Sequence, residues 1–238
     1  MLATGSDFNV SHTQTALRPR QPRLQADGSL EAHLERGSVR GIEAKEHIFT
    51  EGEPKTFVYK VLTGAVCLYR VLPDGRRQVI DFAYPGDLIG LGSGPVEEFN
   101  AQATVSTRVK CLPTSSLRAA VHQQPQVAIR LYEAISHQLA AMQDHLVCVG
   151  QRSATERLSG FLLGLSRRNE QNGMDPQVVE LRITRNDIAD FLGLKIETVS
   201  RTFTKLRSLG FIEIHQGTTI RLVDIKRLEA VGGGEASI

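Results

Sequence analysis

From about residue 37 to 118 apolar and polar positions alternate over short segments separated by turn residues, the period of half-buried β-strands. IEAKEHIF, VYKVLTGAVCLYRVL, RQVIDFAYPGDLIGL and NAQATVSTRVKCLP read as strands. Pro73-Asp74-Gly75 is a turn with a mechanism, since proline presets φ and glycine accepts a positive φ. Tyr84-Pro85-Gly86-Asp87 marks a second sharp turn. Strands at this spacing predict an antiparallel barrel of jelly-roll type, closed or sandwiched, over 27–120.

The period then changes to that of helices. A long helix is expected from about 115 to 149, with Pro125 as its last breaker. Beyond it Leu131, Ile135, Leu139, Met142, Leu146 and Val149 recur at helical spacing, a heptad-like seam that suits a coiled-coil homodimer. The alternative is a helix packed on its own barrel. Residues 151–168 form a further amphipathic helix with Leu158, Phe161, Leu162 and Leu165 inward, followed by a polar linker over 169–176.

Between 184 and 210 lie two short helices joined at Gly193. Thr184 caps the first, with Asp187 at the capping-box position, and Ile188, Ala189 and Leu192 supply its apolar face. The second buries Val199, Phe203 and Leu206. Segments 211–215 and 219–223 alternate around Gln216-Gly217-Thr218 and read as a β-hairpin wing. The fold class is therefore α+β, with an N-terminal β-roll, a long dimerisation helix and a C-terminal winged helix-turn-helix. The expected divisions are a tail over 1–26, the roll over 27–120, the helix over 121–150, the winged unit over 151–227 and a tail over 228–238. A frayed end begins at the glycine run 232–234.

The outer face of the second short helix carries candidate chemistry. Glu197, Ser200 and Arg201 share one turn. Arginine matches the O6/N7 edge of guanine with two hydrogen bonds, and glutamate accepts from the N4 amino group of cytosine. A neighbouring thymine or phosphate is within reach of a serine. Thr184, Arg185, Lys195, Thr198, Thr202 and Lys205 are candidates for contacts to phosphate that fix position. The competing reading is a solvated Glu197–Arg201 pair, worth about 0.2–0.5 kcal/mol to an isolated helix.

Composition changes little. The 238 residues are 41% hydrophobic and 23% charged with a net charge of +2. Residues 182–227, however, hold nine basic side chains against five acidic ones, a local excess where phosphates would be met. No apolar run reaches membrane-spanning length and no secretory leader is recognisable, so a cytoplasmic protein without membrane contact is expected. Cys67, Cys111 and Cys148 lie far apart, which suggests neither a zinc site nor a disulfide framework. His137 and His145, two turns apart, fit a solvated or interface position better than a haem or metal site. No catalytic set is found; an enzyme of cupin type would need a His-x-His and Glu set that the roll lacks.

ETVSR inside DIADFLGLKIETVSRTFTKL, preceded by ATERLSGFLLGLSRR, resembles the cyclic-AMP receptor protein/FNR superfamily of bacterial transcription regulators. DGRRQVIDFAYPGDLIGL resembles it too, and especially its FixK-type branch. The resemblance implies a homodimeric activator, acting on double-stranded DNA and RNA polymerase, that controls micro-oxic respiration or nitrogen-fixation genes. It implies that Glu197, Ser200 and Arg201 read a TTGAT-N4-ATCAA-like palindrome, because Ile196 and Ser200 stand where the cyclic-AMP branch has arginine and glycine. Lys195 departs from the family's usual threonine and cannot accept the helix's orphan amide bonds, a loss of about 1 kcal/mol; a DNA phosphate would offset its charge.

Family cyclic-nucleotide sites carry an arginine that pairs with the phosphate. GLGSGPVEEFNAQATVST has none, and Arg108 is out of position, so no cyclic nucleotide is expected. FNR's iron–sulfur cluster uses three N-terminal cysteines and one in the roll. Cys111 matches the last, but no cysteine precedes Cys67, so no cofactor is expected. Cys111 stays a candidate redox thiol, although an alternating strand more often buries its cysteine. A ligand-gated sensor or cyclic-nucleotide-binding module that does not read DNA is the alternative of a different class.

Overall fold

The computed structural model describes residues 30–234; the tail expected over 1–26 and the last residues, 235–238, lie outside the described residues. A short helix α1 (Leu30–Glu35) leads into eight strands: β1 (Ser38–Ile42), β2 (His47–Phe49), β3 (Phe57–Thr63), β4 (Val66–Val71), β5 (Arg77–Ala83), β6 (Leu88–Ile89), β7 (Asn100–Ala103) and β8 (Thr107–Pro113). They make two antiparallel sheets, β1-β8-β3-β6 and β2-β7-β4-β5. Among the described residues no strand pairs across these two sheets, so the unit is a two-sheet roll and not a closed barrel.

Alternation places Ile42, Phe49, Tyr59, Val61, Leu68, Ala101 and Val109 between the sheets. The turn from β3 to β4 needs glycine for two reasons: Gly64 has φ +87°, and a Cβ there would lie 2.3 Å from Thr107 Oγ1. That hydroxyl donates to the carbonyl of Ala65 at 3.2 Å, so the close approach is part of the core.

The expected single helix over 115–149 is two. α2 (Thr114–Gln123) and α3 (Pro125–Gln151) are separated by Gln124, whose φ −135° and ψ 99° are extended. Proline clashes with a helical predecessor yet suits a first helical position, so Pro125 ends one helix and begins the next. The boundary expected at 121 accordingly falls inside α2.

α4 (Ala154–Gln171) starts with a reciprocal capping box: Glu156 N–H donates to Ser153 Oγ at 3.4 Å and Ser153 N–H to Glu156 Oε2 at 3.1 Å. β9 (Val178–Glu180), α5 (Arg185–Leu192), α6 (Ile196–Ser208), β10 (Ile212–His215), β11 (Thr219–Leu222) and α7 (Ile225–Gly233) complete the chain. The wing has a third strand that the sequence did not predict, β9 just after the polar linker, in the order β10-β11-β9.

The tail expected from 228 is corrected by α7. Leu228 and Val231 are buried, and a Cβ on Gly232 would stand 3.3 Å from Gly160 N of α4. The glycine run read as fraying is what lets the two helices approach. Val79, Phe82 and Tyr84 of the roll share one hydrophobic core with α4, α5, α6 and the wing. Among the described residues no helix is long and apolar enough to cross a membrane.

Candidate nucleic-acid interface

Local chemistry fixes the helix-turn-helix. At the start of α5 the Asp187 N–H donates to Thr184 Oγ1 at 3.1 Å, and the Thr184 N–H and hydroxyl donate to Asp187 Oδ2 at 3.0 and 2.7 Å. α5 ends at Gly193 in the left-handed conformation, φ 62° and ψ 40°. Val199, Phe203 and Leu206 of α6 are buried against α5 and α4 as their spacing predicts. Lys195 is the N-cap residue and makes no side-chain cap bond.

The opposite face presents Glu197, Ser200 and Arg201, all exposed. No ion pair joins Glu197 to Arg201 among the described residues, so the intrahelical pair that competed with base reading is not formed. An acid, a hydroxyl and a guanidinium therefore stand side by side on a helix held rigidly from behind.

Three of the six candidate phosphate residues are placed otherwise than expected. Thr202 is 6% exposed and its hydroxyl donates back to the Thr198 carbonyl at 2.7 Å, so it belongs to the packed side of α6. Position 202 lies three residues after Val199 and beside Phe203, on the buried flank. The Thr184 hydroxyl is engaged in the cap just described. Arg185 lays its guanidinium over the Phe203 ring, 3.2 Å from the centroid, and Nη1 is buried without a hydrogen-bond partner. Burial pulls its pKa down to about 10, which still leaves it cationic at neutral pH. It is a packing cation between α5 and α6. Lys195 and Lys205 are exposed, and Thr198 is half-buried.

α3 buries Val127, Ala134 and Cys148 on its own chain, which satisfies in part the alternative of a helix packed on its own roll. Its other side is an apolar stripe: Tyr132, Ile135, Leu139, Met142 and Leu146 are 72, 43, 56, 49 and 74% exposed. Their spacings alternate three and four, the a/d repeat of a coiled coil. Leu131 and Val149 leave the expected seam. Leu131 packs on the core between α1, α2 and the roll, and a Cβ on Gly193 would touch Val149 Cγ1 at 3.2 Å. Tyr132 was missed, although its place in the three-four alternation was the available signal.

Cys111 is buried in β8 and burial pushes its thiol pKa up, which removes the accessible thiolate a redox sensor needs. Cys67 is also buried, its pKa pushed up to about 12 by burial. Among the described residues no group of three His, Cys, Asp or Glu side chains is placed to hold a metal ion. Inside the roll, Phe49 stacks on Tyr59 at 5.6 Å and packs on Phe99 at 6.0 Å between centroids.

Two family descriptions match the chain: a cyclic nucleotide-binding domain over residues 39–124 and a Crp-like helix-turn-helix domain over 156–231. The chain is 41% identical over 186 residues to the nitrogen fixation regulation protein FixK of Bradyrhizobium diazoefficiens, covering 78% of each. It is 32% identical over 209 residues to the transcriptional activator protein anr of Pseudomonas aeruginosa, covering 87% of this chain and 84% of that one. Among solved structures, FixK2 from Bradyrhizobium japonicum superposes with a TM-score of 0.78 at 36% identity, over 85% of this chain and 98% of that one.

Proposed function

The chain belongs to the CRP/FNR family of transcription regulators, which are not enzymes, and from that premise we propose how this member works. It is a homodimeric activator of the FNR and FixK type that binds a TTGAT-N4-ATCAA-like palindrome in the cytoplasm. There it recruits RNA polymerase to genes of micro-oxic respiration or nitrogen fixation. One observation carries the reading: Glu197, Ser200 and Arg201 stand together, exposed, on a helix whose other face is buried.

In each half-site α6 enters the major groove, Arg201 takes the O6/N7 edge of guanine and Glu197 accepts from the N4 amino group of the paired cytosine. Ser200 touches the neighbouring step. Lys195 at the start of α6 and Lys205 further along meet phosphates, and Thr198 lies beside them. A phosphate at the helix start supplies the acceptor that the lysine cap lacks and gains from the helix dipole. The second half-site is read by a partner related by a two-fold axis along α3, through the stripe from Tyr132 to Leu146.

No cyclic nucleotide and no cofactor are required in this reading. For the nucleotide it is supported by the absence of an arginine between Gly90 and Thr107. The purified protein is expected to bind the palindrome in a fluorescence anisotropy titration with equal affinity whether or not cyclic AMP or iron is added. The gap to scrambled DNA should reach roughly a thousandfold or more at physiological salt. Binding that appears only after cyclic AMP or iron is supplied would overturn the ligand-independent reading.

A further inference from the structure

The helix that carries the reading face is tied to the β-roll by a polar clasp that sequence patterning does not show. Arg77, at the start of β5, donates from Nη1 to Asp187 Oδ1 at 2.7 Å and from Nη2 to Cys67 Sγ at 3.0 Å. Its guanidinium also lies over the Tyr69 ring, 4.1 Å from the centroid. Asp187 is the capping-box partner of Thr184 at the start of α5, so a single carboxylate serves two structures. Its Oδ2 accepts from Thr184 and its Oδ1 accepts from the roll.

The next residue reaches the other end of the same helix. Gln78 Nε2 donates to the Asp190 carbonyl at 2.9 Å, one of the last-turn carbonyls for which α5 has no internal donor. Adjacent residues of one strand thus grip both ends of α5. Beneath the helix Phe191 packs on Phe82 of the roll at 5.2 Å and stacks on His145 of α3 at 4.0 Å. Further polar ties run from Thr104 Oγ1 to the Arg182 carbonyl at 2.6 Å and from Arg168 to Asp87 at 2.7 Å.

The clasp holds the back of the reading head and leaves its front free. None of these contacts involves Glu197, Ser200 or Arg201, which stay exposed. Its effect is therefore to position the head, not to mask it. α6 packs on α5, α5 is gripped by β5, and α3 packs on both units. The place of each reading helix relative to the α3 stripe is then fixed by these ties. In a two-fold dimer that place sets the distance between reading heads, and half-site spacing is a geometric property of such a dimer.

We infer that Arg77 is a positioning residue that sets the operator spacing this protein accepts, by clasping Asp187 and holding the reading head to the β-roll. The inference rests on the dimeric, palindrome-reading function proposed above. Its signature is a change in spacing selectivity, which a general loss of stability would not produce.

The test uses full-length protein and three duplexes: the palindrome with its normal spacer, the same half-sites with one base pair inserted, and scrambled DNA. One inserted pair rotates and shifts a half-site by about a tenth of a turn. Wild-type protein should strongly prefer the normal spacer. Arg77→Gln should reduce the normal-to-lengthened affinity ratio by roughly tenfold, and Arg77→Lys, which keeps the charge toward Asp187, should restore part of it. Gln78→Ala removes a single neutral tie and should lower the ratio in the same direction by less; it serves as the readout if Arg77→Gln does not fold. An unchanged ratio in a folded, dimeric Arg77→Gln protein overturns the inference while leaving palindrome reading intact. If Arg77→Gln does not fold, an unchanged ratio in Gln78→Ala overturns it equally. Wild-type protein that fails to distinguish the palindrome from scrambled DNA overturns both.

Discussion

Arg201→Ala should cost the protein its hold on the palindrome while leaving its weak grip on arbitrary DNA nearly intact. A bidentate arginine–guanine contact contributes about 1–3 kcal/mol of discrimination. Each protomer loses the same contact, so the operator constant should fall roughly thirtyfold or more. Scrambled DNA offers Arg201 no defined guanine edge, and there only one charge per subunit is lost, a small change at physiological salt. Arg201→Lys should recover little, because an ammonium lacks the planar fork that matches O6 and N7 together. The side chain is exposed and outside the core, so thermal stability should be unchanged. Titration of both duplexes by anisotropy checks this; equal loss on the two would mean that Arg201 contacts backbone.

The second large effect is expected at the α3 stripe. Ile135→Glu together with Leu139→Glu places four carboxylates in the seam of a symmetric dimer, where nothing in the stripe would pair with them. Each apolar side chain of that size contributes about 1.5–3 kcal/mol when fully buried, and burying unpaired charge costs more still. Sedimentation should show monomers, and palindrome binding should collapse toward that of one half-site. Both positions are exposed within the single chain, so the monomer should keep its fold and its melting curve. Leu131→Glu is the informative contrast, since Leu131 packs on the core between α1, α2 and the roll. It should destabilise each chain whether or not the chain dimerises. A double variant that sediments as wild type would remove the stripe as the interface.

How far the sequence revealed this molecule follows the range of the forces involved. The Thr184–Asp187 capping box, the left-handed turn at Gly193 and the buried series Val199, Phe203 and Leu206 depend on neighbours within a turn or two, and all were legible. The strands were legible because burial on one face imposes a period of two. What escaped was set by distant contact. α7 hid behind a glycine run whose smallness matters only because α4 comes close to Gly232. Arg77 and Asp187 are 110 positions apart, and neither residue alone signals the other.

Thr202 and Arg185 show a different limit. A position can belong to a DNA-reading motif and still be spent on packing, as the Thr202 back-bond and the Arg185–Phe203 stack are. The seam shows a third. Steps of four from Leu131 to Ile135 to Leu139 drift round a helix, whereas the alternation through Tyr132 stays on one face. Leu131 therefore rotated into the chain's own core, whereas Val149 continues the alternation and leaves the stripe because it lies against Gly193.

The central claim is that Glu197, Ser200 and Arg201 of two protomers read paired TTGAT half-sites. In vitro selection from a random DNA pool, with purified protein and no added effector, tests it most directly. The account predicts convergence on inverted TTGAT half-sites about one helical turn apart between centres, with the G·C pair of each half-site the least variable position. Convergence on a single unpaired half-site, on a palindrome with another base pair at that position, or on no sequence at all would contradict it.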